Sequence, residues 1–236
     1  CTRVQLGVQH TDDAILARIN RGATTADTVR ALRRLKAACF KVDIHLMPNL
    51  PGASLEADRA MFARVLSDER LQADQWKIYP TQVVPWTVIK RWYERGAYVP
   101  YAAADMFEML TQVKARVHPW IRLNRVVRDI PIQYVSGGLD VPNLREDLLG
   151  EMRKRGLRCR CIRCREVGLN SWSNQATDQA SLVIRKYDAS GADEYFLSYE
   201  SPDERLLYGF VRLRLSPRAG PAPRSPRSRR SRRPGR

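Results

Sequence analysis

Three cysteines fall within six positions of the stretch CRCIRCR: Cys159, Cys161 and Cys164, separated by arginines and an isoleucine. Thiolates this close can share one tetrahedral ion, and a structural zinc site would then need a fourth ligand from elsewhere in the chain. The spacing also leaves an iron–sulfur cluster, a redox pair and coincidence open. A redox pair fits less well, because its CxxC belongs near the start of a βαβ unit, and here the cysteines follow a helical pattern. Only His10, His45 and His118 could complete the set as imidazoles, and residue type alone singles out none of them. Cys39 sits in the apolar run AACFKV and is expected to be a buried thiol. Cys1 has no partner spacing.

A second chemistry is electrostatic. Arg122, Arg125 and Arg128 recur every third residue behind Trp120, and RKRGLRCRCIRCR adds Arg153, Lys154, Arg155, Arg158, Arg160, Arg163 and Arg165. Such a stripe tracks phosphates when it faces one way, and is a solvated surface when it does not. Trp76, Trp86, Trp92, Tyr93 and Trp120 could stack on bases, although core packing claims most residues of this kind. Lys77, in QWKIYP, stands near the end of a strand-like run, where a lysine is either solvated or part of a site.

The net charge of the 236 residues is +16, and half of it resides in the last twenty, which hold eight arginines and no acid. The body remains basic and points to a polyanionic partner. A hydrophobic content of 44% allows a packed core. No run of about 18 apolar residues exists, so no membrane-spanning helix is expected. Five cysteines, three of them clustered, do not suit a secreted disulfide scaffold, and a cytoplasmic location is expected. The chain opens on CTRVQLGVQH, without an initiator methionine and as if inside a strand, which predicts a fragment.

These residues need a scaffold, and the patterning supplies one. Strand-like runs at 3–9, 40–48, 75–81 and 120–126 alternate with helical runs at 11–22, from 25, 55–67, 86–95 and 103–117. That alternation predicts parallel β/α units with sites in the loops after the strands. Four strands are too few to close a barrel. A helix from 143 to Gly156 leads into the cysteines, and 170–179 reads as a linker. Residues 181–215 read as three strands of an antiparallel meander with turns at ASGAD and ESPDE. The Arg/Pro/Ser tail cannot form a core.

Seven motifs in order, TRVQLGVQHTDDAILARINRG, FKVDIHLMPNLPG, DQWKIYPT, PWIRLNRVVRDIP, NLRE, CRCIRCREVG and EYFLSYESPDERLLYGFVRLRL, resemble the catalytic subunit of Elongator in its single-protein bacterial and archaeal form. The likeness covers about residues 1–216. It implies an α/β fold: a partial radical S-adenosylmethionine (β/α) barrel over 1–130, a zinc-binding basic linker over 131–177, and the first antiparallel strands of a GNAT acetyltransferase domain over 178–216. Residues 217–236 would be a disordered tail. In that family a [4Fe–4S] cluster cleaves S-adenosylmethionine, and the radical activates the acetyl group of acetyl-CoA. A carboxymethyl group is finally left on C5 of the wobble uridine of tRNA. The resemblance places Gln9, His45, Met47, Lys77 and Tyr79 at the S-adenosylmethionine and uridine cavity. It makes Cys159, Cys161 and Cys164 zinc ligands with His10 as the fourth, and lines a tRNA path with Arg122, Arg125, Arg128, Arg153, Lys154, Arg155 and Arg158. A homodimer is among the assemblies it allows.

The chain also departs from the family. The cluster's Cys-and-CxxC motif is absent from these residues, and Cys1 does not align with it. The acetyl-CoA loop, Q/R-x-x-G-x-G/A, is replaced by Arg/Pro/Ser/Gly/Ala, the composition of GC-rich DNA read out of frame. No complete catalytic set is therefore expected in this chain, and inactivity of the chain alone is the expectation. The rival readings are a tRNA-binding remnant and a protein lysine (histone) acetyltransferase. Half a barrel should also expose a strand edge and an apolar core face, leaving the chain poorly soluble or partly molten.

Overall fold

The computed structural model describes every residue except 128, 129, 140, 142, 171–176 and 217–236, and leaves out the Ile132 side chain. The expected tail and most of the polar stretch 170–179 thus lie outside the described residues. Four strands, β1 (Arg3–Gln9), β2 (Lys41–Leu46), β3 (Gln75–Ile78) and β5 (Arg122–Arg125), form a parallel sheet in the order β1-β2-β3-β5. A two-residue ribbon of β4 (Gln82–Val83) and β6 (Gly137–Gly138), which the sequence pattern does not announce, stands apart from it. Gly138 permits the ribbon: its φ is +92°, and a Cβ there would meet the Thr81 carbonyl oxygen at 2.5 Å.

The crossovers begin on side-chain caps. Asp12 accepts from the backbone of Ala14 and Ile15 to open α1 (Asp13–Arg18). Thr24 and Asp27 form a capping box on α2 (Thr25–Ala37). Ser54 caps α3 (Leu55–Ser67). The expected helix over 11–22 stops earlier, because Asn20 and Gly22 both take positive φ. Cys39 also takes positive φ, 59°, just past the end of α2, and its side chain is exposed. The expected buried thiol is thus corrected: the helix-to-strand turn, not the apolar run, sets its direction.

One face of the parallel sheet, Val42, Ile44, Leu46, Trp76, Ile78 and Leu123, is buried against Leu32 of α2, Met61, Phe62 and Val65 of α3, and Met109, Leu110 and Val113 of α5 (Ala103–Arg116). The opposite face carries Gln5, Asp43, His45, Gln75, Lys77 and Asn124, as the strand register requires. The strands therefore alternate, unlike parallel strands covered by apolar layers on both sides. The expected exposed apolar face is absent from the described residues of this sheet, whose second face is polar and partly buried.

An exposed apolar face occurs elsewhere. Strands β7 (Ser181–Asp188), β8 (Asp193–Glu200) and β9 (Leu207–Leu215) form the expected antiparallel meander. Leu182, Ile184, Tyr199, Val211, Leu213 and Leu215 on its outer side are all exposed. Its inner face packs Phe196 and Leu207 against Ile162 and Trp120 and surrounds them with charges that pair across the contact. Lys36 of α2 reaches Asp74 Oδ1 at 3.0 Å and Glu194 Oε1 at 2.8 Å, with all three side chains buried. Arg212 reaches the same Asp74 oxygen at 3.0 Å and donates to the Trp120 carbonyl at 2.7 Å. Trp120 is stacked between His118 and Tyr187, with centroids 4.4 Å from each. A second ionic joint links Arg165 to Glu200 at 2.8 Å, and Glu200 to Arg185.

Burial would raise the Asp74 carboxyl, but Arg212, Lys36 and the Val42 N–H outweigh it and hold it below its usual 3.8. Burial is likewise overcome at Glu200 by Arg185 and Arg165. Both carboxylates thus stabilise the fold above the ordinary carboxylate range, and that contribution is lost as pH falls through their lowered values. Asp74→Ala leaves the buried Lys36 and Arg212 to share Glu194 with Arg214, three cations on one carboxylate, and should cost about 3–5 kcal/mol in denaturant unfolding at pH 7. A loss under about 1 kcal/mol, the range of an exposed pair, would refute this joint. The parent's stability should also decline below about pH 4.

Candidate functional site: a polar sheet face and a cysteine centre

The C-terminal ends of β1, β2 and β3 converge on one cluster. Backbone bonds set the order: Met47 N–H donates to the Gln9 carbonyl at 2.8 Å, and Tyr79 N–H to the Leu46 carbonyl at 2.8 Å. Gln9 takes φ 68° beside a register shift at the end of β1, a strained conformation of the kind that gathers at working sites. His45 and Lys77 are register partners on the polar face, and the Tyr79 ring meets His45 edge-on, with centroids 5.6 Å apart. The five residues named from the resemblance, Gln9, His45, Met47, Lys77 and Tyr79, are thus brought to neighbouring strand ends.

Polar neighbours that the sequence reading missed anchor this face. Asn124 donates to Asp43 Oδ2 at 2.9 Å and to Gln75 Oε1 at 2.7 Å. Lys77 Nζ lies 3.8 Å from Asp43 Oδ2. The signal was present, since Asp43 and His45 occupy alternate positions of KVDIHL and so share a face. Three buried atoms, Gln9 Oε1, Asp43 Oδ1 and His45 Nε2, have no hydrogen-bond partner. Burial and the nearby Lys77 lower the His45 pKa against the opposing pull of Asp43, whereas burial raises the Asp43 carboxyl. A neutral imidazole and unfilled acceptors beside an ammonium suit a polar ligand that donates hydrogen bonds and carries negative charge.

The second centre is the cysteine group. Helix α6 (Leu144–Lys154) and its turn deliver CRCIRCR to the outer edge of β5, where Ile162 N–H donates to the Ile121 carbonyl at 3.0 Å. Cys159, Cys161 and Cys164 put their sulfurs within 4.8 Å of one another. A zinc tetrahedron with bonds of about 2.3 Å has edges of roughly 3.8 Å, so a small inward shift would seat one ion. The donor set therefore fits a single thiophilic ion. Cys161 is the most acidic of the three. Burial opposes its thiolate, but the Cys159 and Cys164 thiols, Lys114 and the Leu123 N–H favour it.

His10, implied as the fourth ligand, is not in this group. Its Nδ1 accepts from Asp12 N–H at 2.9 Å, and its Nε2 faces Asp58 Oδ1 at 3.2 Å. Asp58 also accepts from Asn49 N–H at 2.6 Å and the Tyr101 hydroxyl at 2.9 Å. The imidazole thus ties the β1–α1 turn to α3 rather than to the cysteines. His118 is held by the Leu66 carbonyl at 2.9 Å.

The arginines divide. Arg122 is paired with Glu166, Arg155 with Glu108 and Glu151, and Arg160 with Glu204. Arg165 is buried and structural. Arg125 is exposed, and Lys154 is 79% exposed with Glu151 at 3.7 Å. Arg128 lies outside the described residues. Arg153, Arg158, Arg160 and Arg205 line a cleft of about 480 Å³ that reaches Cys159 and Cys164, with Asp203 and Glu204 among them pairing Arg205 and Arg160. Among the aromatics, Trp76 is core and Trp120 is sandwiched, while Trp86 is 93% exposed.

Among the described residues, no helix is long and apolar enough to cross a membrane. Residues 73–154 match the Radical_SAM C-terminal domain. The chain is 41% identical to a tRNA uridine(34) acetyltransferase of Dehalococcoides mccartyi over 214 residues, covering 91% of this chain and 46% of the relative. It is 39% identical to human Elongator complex protein 3 over 215 residues, covering 91% of this chain and 39% of the relative. The solved archaeal Methanocaldococcus infernus Elp3 with an N-terminal deletion superposes with a TM-score of 0.85 at 39% identity, over 91% of this chain and 51% of that one. The chain spans less than half the length of these two sequence relatives.

The two exposed thiols, Cys1 and Cys39, should react at once with a thiol reagent, and the three of the centre slowly. Adding a zinc chelator should bring the slow three into the fast phase. Five fast thiols in zinc-loaded protein would show that the centre holds no ion.

Proposed function

The chain belongs to the Elongator catalytic-subunit family, and from that premise we propose that it is part of an enzyme that modifies uridine in tRNA. The observation that carries the proposal is the polar strand-end face, with its three buried, partnerless atoms beside Lys77. Gln9, His45, Met47, Lys77 and Tyr79 face S-adenosylmethionine and the target uridine. Asp43, Gln75 and Asn124 hold that face in register behind them. The finer reading is carboxymethylation at C5 of the wobble uridine by the whole protein in the cytoplasm, with acetyl-CoA as the carbon source.

A radical S-adenosylmethionine enzyme needs a [4Fe–4S] cluster. This chain offers it no ligand set, because Cys1 and Cys39 are exposed and far apart in sequence and the remaining cysteines form the centre on β5. Zinc held by Cys159, Cys161 and Cys164 would cross-link the linker to β5 and supply no redox chemistry. One second reading, a tRNA-binding piece without catalysis, is favoured by the arginines gathered at the cleft beside the cysteines. The basic cleft, Arg125 and Lys154 would then contact phosphates.

Both readings predict tRNA binding, followed by fluorescence anisotropy with an anticodon stem–loop. Arg153→Glu with Lys154→Glu should weaken it and flatten the salt dependence by about one unit per lost phosphate contact. An unchanged slope would remove these residues from the tRNA path. Lys77→Met and His45→Ala should leave tRNA affinity intact but weaken S-adenosylmethionine binding about tenfold, the loss of one hydrogen bond to a charged group. Parent protein that binds tRNA but no S-adenosylmethionine would favour the binding-only reading.

A further inference from the structure

Lys114 lies in the last turn of α5 and is fully buried. A buried ammonium needs a counter-charge. Among the described residues, no carboxylate stands within ion-pair distance of it. Its hydrogen-bond partner is Cys164 Sγ at 4.0 Å. Because the three sulfurs are within 4.8 Å of one another, the amine faces the whole group. Arg145 of α6 approaches the same sulfur, with Nη1 at 4.0 Å, while its Nη2 donates to the Leu123 carbonyl at 2.8 Å. Two cations from two helices therefore converge on one sulfur.

We propose that Lys114 is the counter-charge of the cysteine centre, tuned to three thiolates holding one divalent ion. Three thiolates and a divalent cation leave a single negative charge, and the ammonium cancels it. Lys114 is thus a positioning residue: it touches the ligands, not the ion, and favours the loaded centre over the empty one. The inference rests on the single-ion reading of the three cysteines.

The test is a cobalt titration of the full chain, read by the thiolate-to-cobalt charge-transfer band, with zinc competition to give affinities. Parent protein should bind one equivalent, and a parent that binds none overturns the single-ion reading and this inference with it. If the parent binds, Lys114→Met should weaken zinc by about 10–100-fold, the usual cost of losing a group that supports metal ligands. Lys114→Arg, which keeps the charge and cannot ligate, should restore most of the affinity. Unchanged affinity in Lys114→Met, or equal loss in both variants, overturns the counter-charge role while leaving the centre intact. The same substitution in a Cys159→Ala, Cys161→Ala, Cys164→Ala background should raise the unfolding midpoint, since the buried charge there has lost its partners. A fall in midpoint in that background would mean that Lys114 serves packing alone, and would overturn the proposal.

Discussion

The joint between the two sheets rests on a buried carboxylate, Asp74, shared by Lys36 and Arg212 and seconded by Glu194. Its position explains much of the rest. Asp74 immediately precedes β3 and receives the Val42 N–H on its second oxygen at 2.7 Å, so it fixes β2 against β3 as well as the meander against both. Ions flank a small apolar cluster of Ile162, Phe196 and Leu207 at this contact, and that inverts the meander. Its charged face turns inward toward Lys36 and Arg165, and its apolar face turns outward. Exposed leucines on β9 follow from the joint, not from poor packing.

The alternation of the parallel strands was legible from sequence, because Val42, Ile44 and Leu46 fall on one side of β2 and Asp43 and His45 on the other. What such alternation means was less legible. The expectation of an apolar inner face treated the sheet as one half of an ordinary two-faced core. Its polar residues instead build a binding face, and local pattern shows that only when the strands are set side by side. The inverted meander was hidden for a similar reason. RVQLGVQ and YGFVRLRL look alike as alternating strings, and only tertiary pairing decides which face becomes the inside.

Single residues failed where backbone geometry overrode composition. Cys39 lies among apolar neighbours yet points to solvent, because the turn from α2 to β2 requires a left-handed residue there. His10 follows a strand, as a metal ligand can, yet its Nδ1 accepts from Asp12 N–H and its Nε2 points at Asp58, 3.2 Å away, rather than at the cysteines. The cysteines were readable because spacing within one short segment needs no tertiary knowledge. Lys114 was not, for its partners are fifty positions away and a lysine in an amphipathic helix ordinarily belongs to the solvated face.

Charge counting deserves the same discipline. A net charge of +16 suggests a broad cationic surface, but the stripe behind Trp120 and the run through CRCIRCR do not act as one patch. Arg122, Arg155, Arg160 and Arg165 each meet a carboxylate, and a guanidinium already paired gains less from a phosphate than a free one. Ion pairs at Arg165 and Arg185 hold the meander, so reversing charges there would disturb the fold before it reported on any ligand. Lys154 and the arginine-lined cleft beside Cys159 and Cys164 are better placed to meet a polyanion. That cleft borders the cysteine centre, where Lys114 and Arg145 both approach Cys164 Sγ. A phosphate bound there would meet the arginines together with Asp203 and Glu204, while Lys114 and Arg145 offset the thiolate charge beside it, so offsetting the centre and attracting nucleic acid next to it are compatible demands on the same few residues.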